Sequence, residues 1–130
     1  MRIQLIEHDA EDFSRTNISF WAAKKGYPVK QTYVCNNESL PPMDSFDWLM
    51  IMGGSQHAWD EQGNPWLPAE KAFVGAALAR GKRFLGICFG AQLLAEALGG
   101  RIWVESEPGT GSTFSLLLPV ATQLADTSGG

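Results

Sequence analysis

A short apolar run near the middle of the chain constrains the fold most. Residues 47–52 read DWLMIM and are followed directly by Gly53 and Gly54. A strand with one face in water alternates apolar and polar residues, whereas this run is apolar at nearly every position. Such a run is typical of a strand that is buried on both faces, as in a parallel sheet covered by helices. It therefore predicts an α/β protein.

The segments around this run alternate between strand and helix patterns. Apolar and β-branched residues favour further strands at residues 2–7, 29–34 and 83–87. Apolar residues recur at helical spacing in residues 13–25, 67–80 and 91–98. Together with the central run, this order predicts a flavodoxin-like, three-layer α/β fold with a parallel sheet and right-handed crossovers.

The last part of the chain has a different pattern. Residues 101–106 and 112–118 are β-rich and flank the turn sequence EPGTG, which predicts a C-terminal β-hairpin. We expect the hairpin, residues 101–119, to complete the domain formed by residues 1–100, with Trp103 in the core. Residues 120–130 are small and polar, and we expect them to form a weakly ordered tail.

Composition argues against several classes of function. The chain has 14 acidic and 10 basic residues and no basic cluster, so neither nucleic acid nor a membrane surface is an expected partner. No segment approaches the roughly 18 apolar residues of a membrane span, and the acidic start is unlike a signal peptide, so we expect a cytoplasmic protein. Cys35 and Cys88 have no Cys or His at metal-ligand spacing, so we expect no metal, no cofactor and no disulfide.

The sequence Gly86-Ile87-Cys88-Phe89-Gly90 joins a predicted strand to a predicted helix, which is typical of a nucleophile elbow. The glycines relieve crowding in the tight turn, and the positive end of the helix favours the thiolate form of Cys88. A small buried cysteine without a chemical role is the alternative, and that is our interpretation of Cys35. The strand ends of a parallel sheet meet at one edge, where we expect His8, Gly53, Gly54, His57 and Cys88.

The segments MIMGGSQHAWD and GKRFLGICFGAQLLAEALGG closely resemble class I glutamine amidotransferases, and within that family the stand-alone members similar to the glutaminase part of GMP synthase. The resemblance covers about residues 1 to 100. It implies that Cys88 is the nucleophile that takes the acyl group of glutamine and releases ammonia. It also implies an oxyanion hole made by the backbone N–H groups of Phe89 and of Gly54, or alternatively Gly53. Gly53 and Gln92 would line the glutamine pocket.

One part of the family pattern is absent from the sequence. The family's catalytic base is a His in a His-x-Glu motif well downstream of the cysteine, whereas no histidine follows His57 here. A cysteine without a base that also protonates the leaving amine loses the partner that makes acyl transfer productive. We therefore expect impaired or absent catalysis. His57 and His8 are the two candidates for a substitute base.

Residues 99–119 are similar to the C-terminal hairpin of the ATPase domain of sensor histidine kinases, which carries the same GxGSTF stretch. The Asn-containing helix and the Asp-x-Gly-x-Gly segment that hold magnesium and adenine in those kinases are absent from this sequence. We interpret the chain as a chimera of a truncated amidotransferase and a hairpin of other origin. Nucleotide binding through Gly109-Thr110-Gly111 is a third hypothesis, which rests on a weak signal.

Two main functions stay open at this point. One is a glutamine-hydrolysing domain, with glutamine as its ligand if the pocket survives. The other is a folded, non-catalytic module that associates with itself. A doubly wound sheet without its later strands exposes apolar surface and an unpaired edge, and both favour pairing with another chain. We therefore expect a homodimer.

Overall fold

The computed structural model describes residues 1–9 and 16–119. All the predicted strands and helices that fall in these residues are present: β1 (Ile3–Glu7), α1 (Asn17–Lys25), β2 (Val29–Tyr33), β3 (Trp48–Ile51), α2 (Leu67–Ala79), β4 (Arg83–Gly86), α3 (Phe89–Ala97), β5 (Arg101–Glu107) and β6 (Gly111–Leu117). The predicted start of the first helix and the predicted tail lie outside the described residues. Within the described ranges, no helix is long and apolar enough to cross a membrane.

Strands β1 to β4 form one parallel sheet in the order β2-β1-β3-β4. The central pair is in register from Ile3 opposite Trp48 to Ile6 opposite Ile51, and Ile51 in turn lies opposite Gly86 of β4. Strands β1 and β3 are therefore central, and β2 and β4 lie at the two sides of the sheet. Because all four strands are parallel, their carboxyl ends meet at one edge. This confirms the flavodoxin-like α/β fold.

Two apolar clusters cover the two faces of the sheet. Because side chains alternate along a strand, Met50 of β3 points to the face covered by α1, where it packs with Ile3, Leu5 and Ala22. Leu49 and Ile51 point to the other face, which is covered by α2 and α3; the helix residues in this second cluster are Leu67, Phe73, Val74, Ala77, Phe89 and Leu93. The apolar run at residues 47–52 is thus buried on both faces, as predicted.

The ends of α1 follow the sequence closely. The side chain of Thr16 accepts a hydrogen bond from the backbone N–H of Ser19, which satisfies one of the free donors at the start of the helix. At the other end, Gly26 has φ of 72°, and its N–H closes the last turn on the carbonyl groups of Ala22 and Ala23. The chain then turns directly into β2.

Strands β5 and β6 form the predicted hairpin as a separate antiparallel sheet of two strands. The hairpin contacts α3 through β5 and, within the described ranges, has no strand pairing with the four-stranded sheet. The expectation that Trp103 lies in the core is wrong, since its side chain is 40% exposed and the guanidinium of Arg101 lies 4.8 Å from its ring centroid. The reason is that no further layer covers the hairpin among the described residues. That residues 101–119 complete the domain of residues 1–100 stays a prediction.

Candidate functional site

Cys88 occupies a strained turn between β4 and α3. Its φ of 51° and ψ of −111° lie in a region that L-residues rarely adopt. The Cys88 carbonyl group accepts hydrogen bonds from the N–H groups of Ala91 and Gln92, at 2.9 and 3.2 Å, so the residue acts as the cap of α3. The side chain is exposed. The local geometry is that of the predicted elbow.

Two glycines make this turn sterically feasible. A Cβ atom on Gly86 would lie 2.6 Å from the carbonyl oxygen of Gly90, and one on Gly90 would lie 2.0 Å from the carbonyl oxygen of Ile51. Real side chains cannot make either approach. Gly86 therefore lets the first turn of α3 pack directly on β4, and Gly90 lets it pack on β3, which fixes the position of Cys88 at the sheet edge.

A cavity of about 400 Å³ opens at the carboxyl edge of the sheet beside Cys88. It brings together residues that follow three different strands, as the sequence predicted from the topology of parallel sheets. Its lining residues are Glu7, His8, Asp9, Thr16, Met52, Gly53, Gly54, Ile87 and Cys88. A cavity of this size accommodates an amino acid.

Gly53 is in close contact with the thiol-bearing residue. A Cβ atom on Gly53 would lie 3.2 Å from the Cβ and 3.8 Å from the Sγ of Cys88. One on Gly54 would instead lie 2.9 Å from the Cβ of His8. Among the described residues, the N–H groups of Gly53, Gly54 and Phe89 donate to no backbone carbonyl group. Three backbone donors close to the elbow thus lack a backbone acceptor in the described part of the chain.

The two histidines have different environments. His8 lines the cavity and is buried, with its Nε2 2.8 and 3.0 Å from the two carboxylate oxygens of Glu70. Its Nδ1 is buried and has no hydrogen-bond partner in the described part of the chain. His57 is exposed and stacks on Trp59, with 5.2 Å between ring centroids, and it does not line the cavity. Neither histidine is thus hydrogen-bonded to the sulfur of Cys88.

Gln92 lies on the other side of the elbow. It is exposed and lines a second, mostly apolar cavity of about 240 Å³ between α3 and the hairpin, together with Cys88, Ala91, Ile102, Trp103, Val104 and Phe114. Cys88 is the residue shared by both cavities. Gln92 thus lines a different cavity from Gly53 and Gly54. The glutamine pocket formed by Gly53 and Gln92, which the resemblance implied, stays a prediction.

Sequence reasoning missed the carboxylates near the site, above all Glu70. The residues Leu67, Glu70, Val74 and Ala77 are all fully buried and recur at helical spacing on one face of α2. A carboxylate on the apolar face of a predicted helix is the signal that was available, because a buried acid needs a partner. Glu7 and Asp9, which line the cavity, directly precede and follow His8 in sequence.

The sequence matches the family model of class I glutamine amidotransferases over residues 9–127. It is 31% identical over 111 residues to the glutamine amidotransferase-like protein YfeJ of Salmonella typhimurium, which covers 82% of this chain and 46% of YfeJ. It is also 36% identical over 88 residues to cobyric acid synthase of an Acidovorax species, covering 65% of this chain and 16% of that enzyme. The chain thus spans less than half the length of the curated relatives it matches.

Solved structures agree with these matches. The crystal structure of SMU.1228c superposes with a TM-score of 0.70 at 34% identity, over 78% of this chain and 45% of that one. A glutamine amidotransferase from Thermotoga maritima superposes with a TM-score of 0.72 at 23% identity, over 88% of this chain and 62% of that one, which supports the fold alone. On the family match, which runs over most of its length, this chain belongs to the class I glutamine amidotransferases.

Proposed function

We propose that the cavity beside Cys88 binds glutamine and that Cys88 is the nucleophile toward its carboxamide group. The observation that carries the proposal is the meeting of an exposed thiol, at a strained elbow, with the unused N–H groups of Gly53, Gly54 and Phe89. Such donors stabilise an oxyanion better than water does, because they are already in place when the charge develops. Gly53, which lies beside the sulfur, and Phe89 are the donors best placed for this role.

The reaction that fits these groups proceeds in two steps. The thiolate of Cys88 attacks the carboxamide carbon and forms a carbon–sulfur bond. The carbonyl oxygen becomes negative and accepts hydrogen bonds from the backbone N–H groups. The carbon–nitrogen bond then breaks, and the nitrogen takes from solvent the proton that the thiol gave up and leaves as ammonia. Water hydrolyses the thioester to glutamate and restores the thiol. Glu7 and Asp9 give the cavity negative charge that suits the ammonium group of an amino acid.

We further propose that this chain by itself turns glutamine over slowly or not at all. The leaving nitrogen needs a proton donor, and acid–base catalysis contributes about 10²- to 10⁴-fold to such steps. His8 is occupied by Glu70 through Nε2, and His57 stacks on Trp59 outside the cavity. Since neither histidine is hydrogen-bonded to Cys88 among the described residues, no contact supports the role of a substitute base for either of them. Acylation is therefore expected to be the slow step, whereas binding and positioning at Cys88 are retained.

A covalent probe separates binding from turnover. A chloromethyl ketone analogue of glutamine should alkylate Cys88 at neutral pH, with loss of chloride, much faster than it alkylates Cys35. Mass spectrometry of the peptides that contain each thiol measures both rates, and Cys88→Ser is the control. Equal rates at the two thiols would contradict the proposed glutamine site. Rapid glutamate release that is lost in Cys88→Ser would contradict the proposed slow or absent turnover.

A second proposed function, self-association, is favoured by uncovered apolar surface. Among the described residues, β4 pairs with β3 alone, and a groove beside it is lined by Asn17, Ile18, Trp21, Trp48, Met50 and Leu85. Open sheet edges and apolar grooves favour pairing between chains. Light scattering should therefore give the mass of a homodimer at micromolar concentration. The mass of a 14.2 kDa monomer across that range would contradict this second function.

The origin and location of the chain stay predictions. The family match extends to residue 127 and so includes the hairpin. That residues 99–119 were taken from another protein remains our interpretation of the sequence. The cytoplasmic location is likewise a proposal. No acceptor for ammonia is proposed, because the chain spans only part of its relatives.

A further inference from the structure

A buried pair of side chains lies beneath the site and has no role in the two steps above. His8 follows β1, and Glu70 lies in the first turn of α2. The Nε2 of His8 lies 2.8 and 3.0 Å from the two oxygens of Glu70, and both side chains are 0% exposed. Buried pairs of polar side chains are often no more stabilising than apolar side chains of the same size. Stability alone therefore does not account for the pair.

The ring of His8 contacts the residue that follows the nucleophile. Its centroid lies 4.5 Å from that of Phe89, with the rings at 71°, and 5.2 Å from that of Trp66. Phe89 is itself buried, and its N–H group is one of the proposed donors to the oxyanion. The orientation of the His8 ring therefore affects where Phe89 lies.

His8 also contacts the other segment that supplies donors. Its Cβ lies 2.9 Å from the place that a Cβ atom of Gly54 would occupy, so it touches the backbone of Gly54 directly. The side chain of His8 thus lies between Gly54, in the segment that follows β3, on one side and Phe89, at the start of α3, on the other. These are the two segments whose N–H groups must converge on one oxygen atom.

We propose that the His8–Glu70 pair is a positioning pair, which holds Gly53–Gly54 and Phe89 at the separation that an oxyanion requires. The proposal rests on the function proposed above. Contact with both carboxylate oxygens fixes the plane of the imidazole ring, as a carboxylate does for metal-bound histidines. Nδ1 has no partner among the described residues, so Glu70 is the hydrogen-bonding group that sets this plane. An apolar residue of equal size would fill the space without fixing the ring.

The matched variants Glu70→Gln and Glu70→Met test this idea. Both are close to Glu70 in size, but only Gln keeps an oxygen that accepts a hydrogen bond from Nε2. The measured quantity is the ratio of two alkylation rates at Cys88, for the chloromethyl ketone analogue of glutamine and for chloroacetamide. The first reagent needs its carbonyl group polarised by the N–H donors, whereas the second is a simple alkylating agent.

We expect this ratio to fall about tenfold in Glu70→Met, because small displacements of positioning groups have effects of that size or larger. It should stay within about threefold of the original chain in Glu70→Gln. The double variant His8→Phe with Glu70→Met keeps an aromatic ring against Phe89 and leaves no unpaired charge. Its melting temperature should be close to that of the original chain, while its ratio stays low.

Three results would overturn the proposal. These are an unchanged ratio in Glu70→Met, an unchanged ratio in a double variant that is folded, and a ratio in Glu70→Gln as low as in Glu70→Met. Failure of the underlying function looks different. In that case the original chain already shows the same ratio at Cys88 as at Cys35, before any substitution is made.

Discussion

The four-stranded sheet and the C-terminal hairpin are both rich in apolar residues, yet they bury them to very different extents. In the sheet region, Leu49 is 0% and Phe46 1% exposed, whereas in the hairpin Leu116 is 58% and Phe114 75% exposed. The sheet has helices on both faces, whereas the main contact of the hairpin within the described residues is with α3. An apolar strand pattern therefore specifies a strand but does not specify burial, which depends on a second layer.

The hairpin is nevertheless regular. All seven residue pairs from Arg101–Leu117 to Glu107–Gly111 are in register, and the hydroxyl groups of Ser106 and Ser112 lie 2.7 Å apart near the turn. A two-stranded hairpin by itself is at best marginally stable in water. Its order must then depend on the contact with α3, or on a partner that covers its apolar face. The contrast between the two regions can be tested by matched substitutions.

The largest contrast is expected between Leu49→Ala and Leu116→Ala. Leu49 is fully buried between β3 and the helices, so its truncation should lower the free energy of unfolding by about 2–5 kcal/mol through lost burial and a cavity. Leu116 is 58% exposed, so the same truncation should change it by at most about 0.5 kcal/mol. Urea denaturation followed by circular dichroism measures both. A loss above about 1 kcal/mol in Leu116→Ala would mean that the hairpin is covered in solution.

A second contrast compares glycines. In Gly90→Ala the new Cβ would lie 2.0 Å from the carbonyl oxygen of Ile51, so α3 must move away from β3, at an expected cost of about 3 kcal/mol. In Gly109→Ala, at the hairpin turn, nothing described lies within 4 Å, and only the φ of 79° is unfavourable, at about 1 kcal/mol. Thermal unfolding gives both values. If the two variants were equally stable, the packing of α3 on β3 would not depend on Gly90.

The fold was predictable because its signals are local. The unbroken run at residues 47–52 and the helical spacings gave the strands, the helices and the layer arrangement, since burial on both faces leaves a direct trace in the sequence. The start of α3 was placed at Ala91, whereas the helix begins at Phe89. The sequence pattern missed this start because Gly90 is a poor helix former. It is glycine because of its close contact with Ile51 of β3, which a local pattern does not reveal.

The site was predictable only in part. Topology brought Cys88, Gly53, Gly54 and His8 to one cavity, since the ends of parallel strands meet at one edge. The positions of Gln92 and His57 depend on the rotation of α3 and on the path of a loop, which sequence patterns do not fix. Glu70 was missed for a related reason. A buried carboxylate can be recognised as part of a site only together with its partner, and His8 is 62 residues away in the sequence.

The smallest effect on stability is expected from a substitution of Lys71. It tests whether ion pairs, in addition to apolar contacts, hold α3, the helix that the hairpin contacts. The Nζ of Lys71 lies 3.1 Å from an oxygen of Glu61 and 3.1 Å from one of Glu96, near the end of α3. Burial lowers the pKa of Lys71, but the hydrogen bonds to Glu61 and Glu96 outweigh it and raise the pKa above its ordinary 10.5. The folded state therefore binds this proton more tightly than the unfolded chain. The resulting stabilisation is fully present below pH 10.5 and disappears as the pH rises through the higher pKa of the folded state.

Lys71→Met should accordingly lower the free energy of unfolding by no more than about 1 kcal/mol at neutral pH and low salt, because the groups are partly exposed and screened. The difference should shrink in high salt and above pH 10.5. Lys30→Met, at an exposed lysine of β2 that has no ion pair among the described residues, is the matched control and should show no such dependence. A deficit in Lys71→Met that persists in high salt would assign the effect to packing of the lysine stem. In that case apolar contacts alone hold α3 in place, and both the elbow before it and the hairpin after it depend on those contacts.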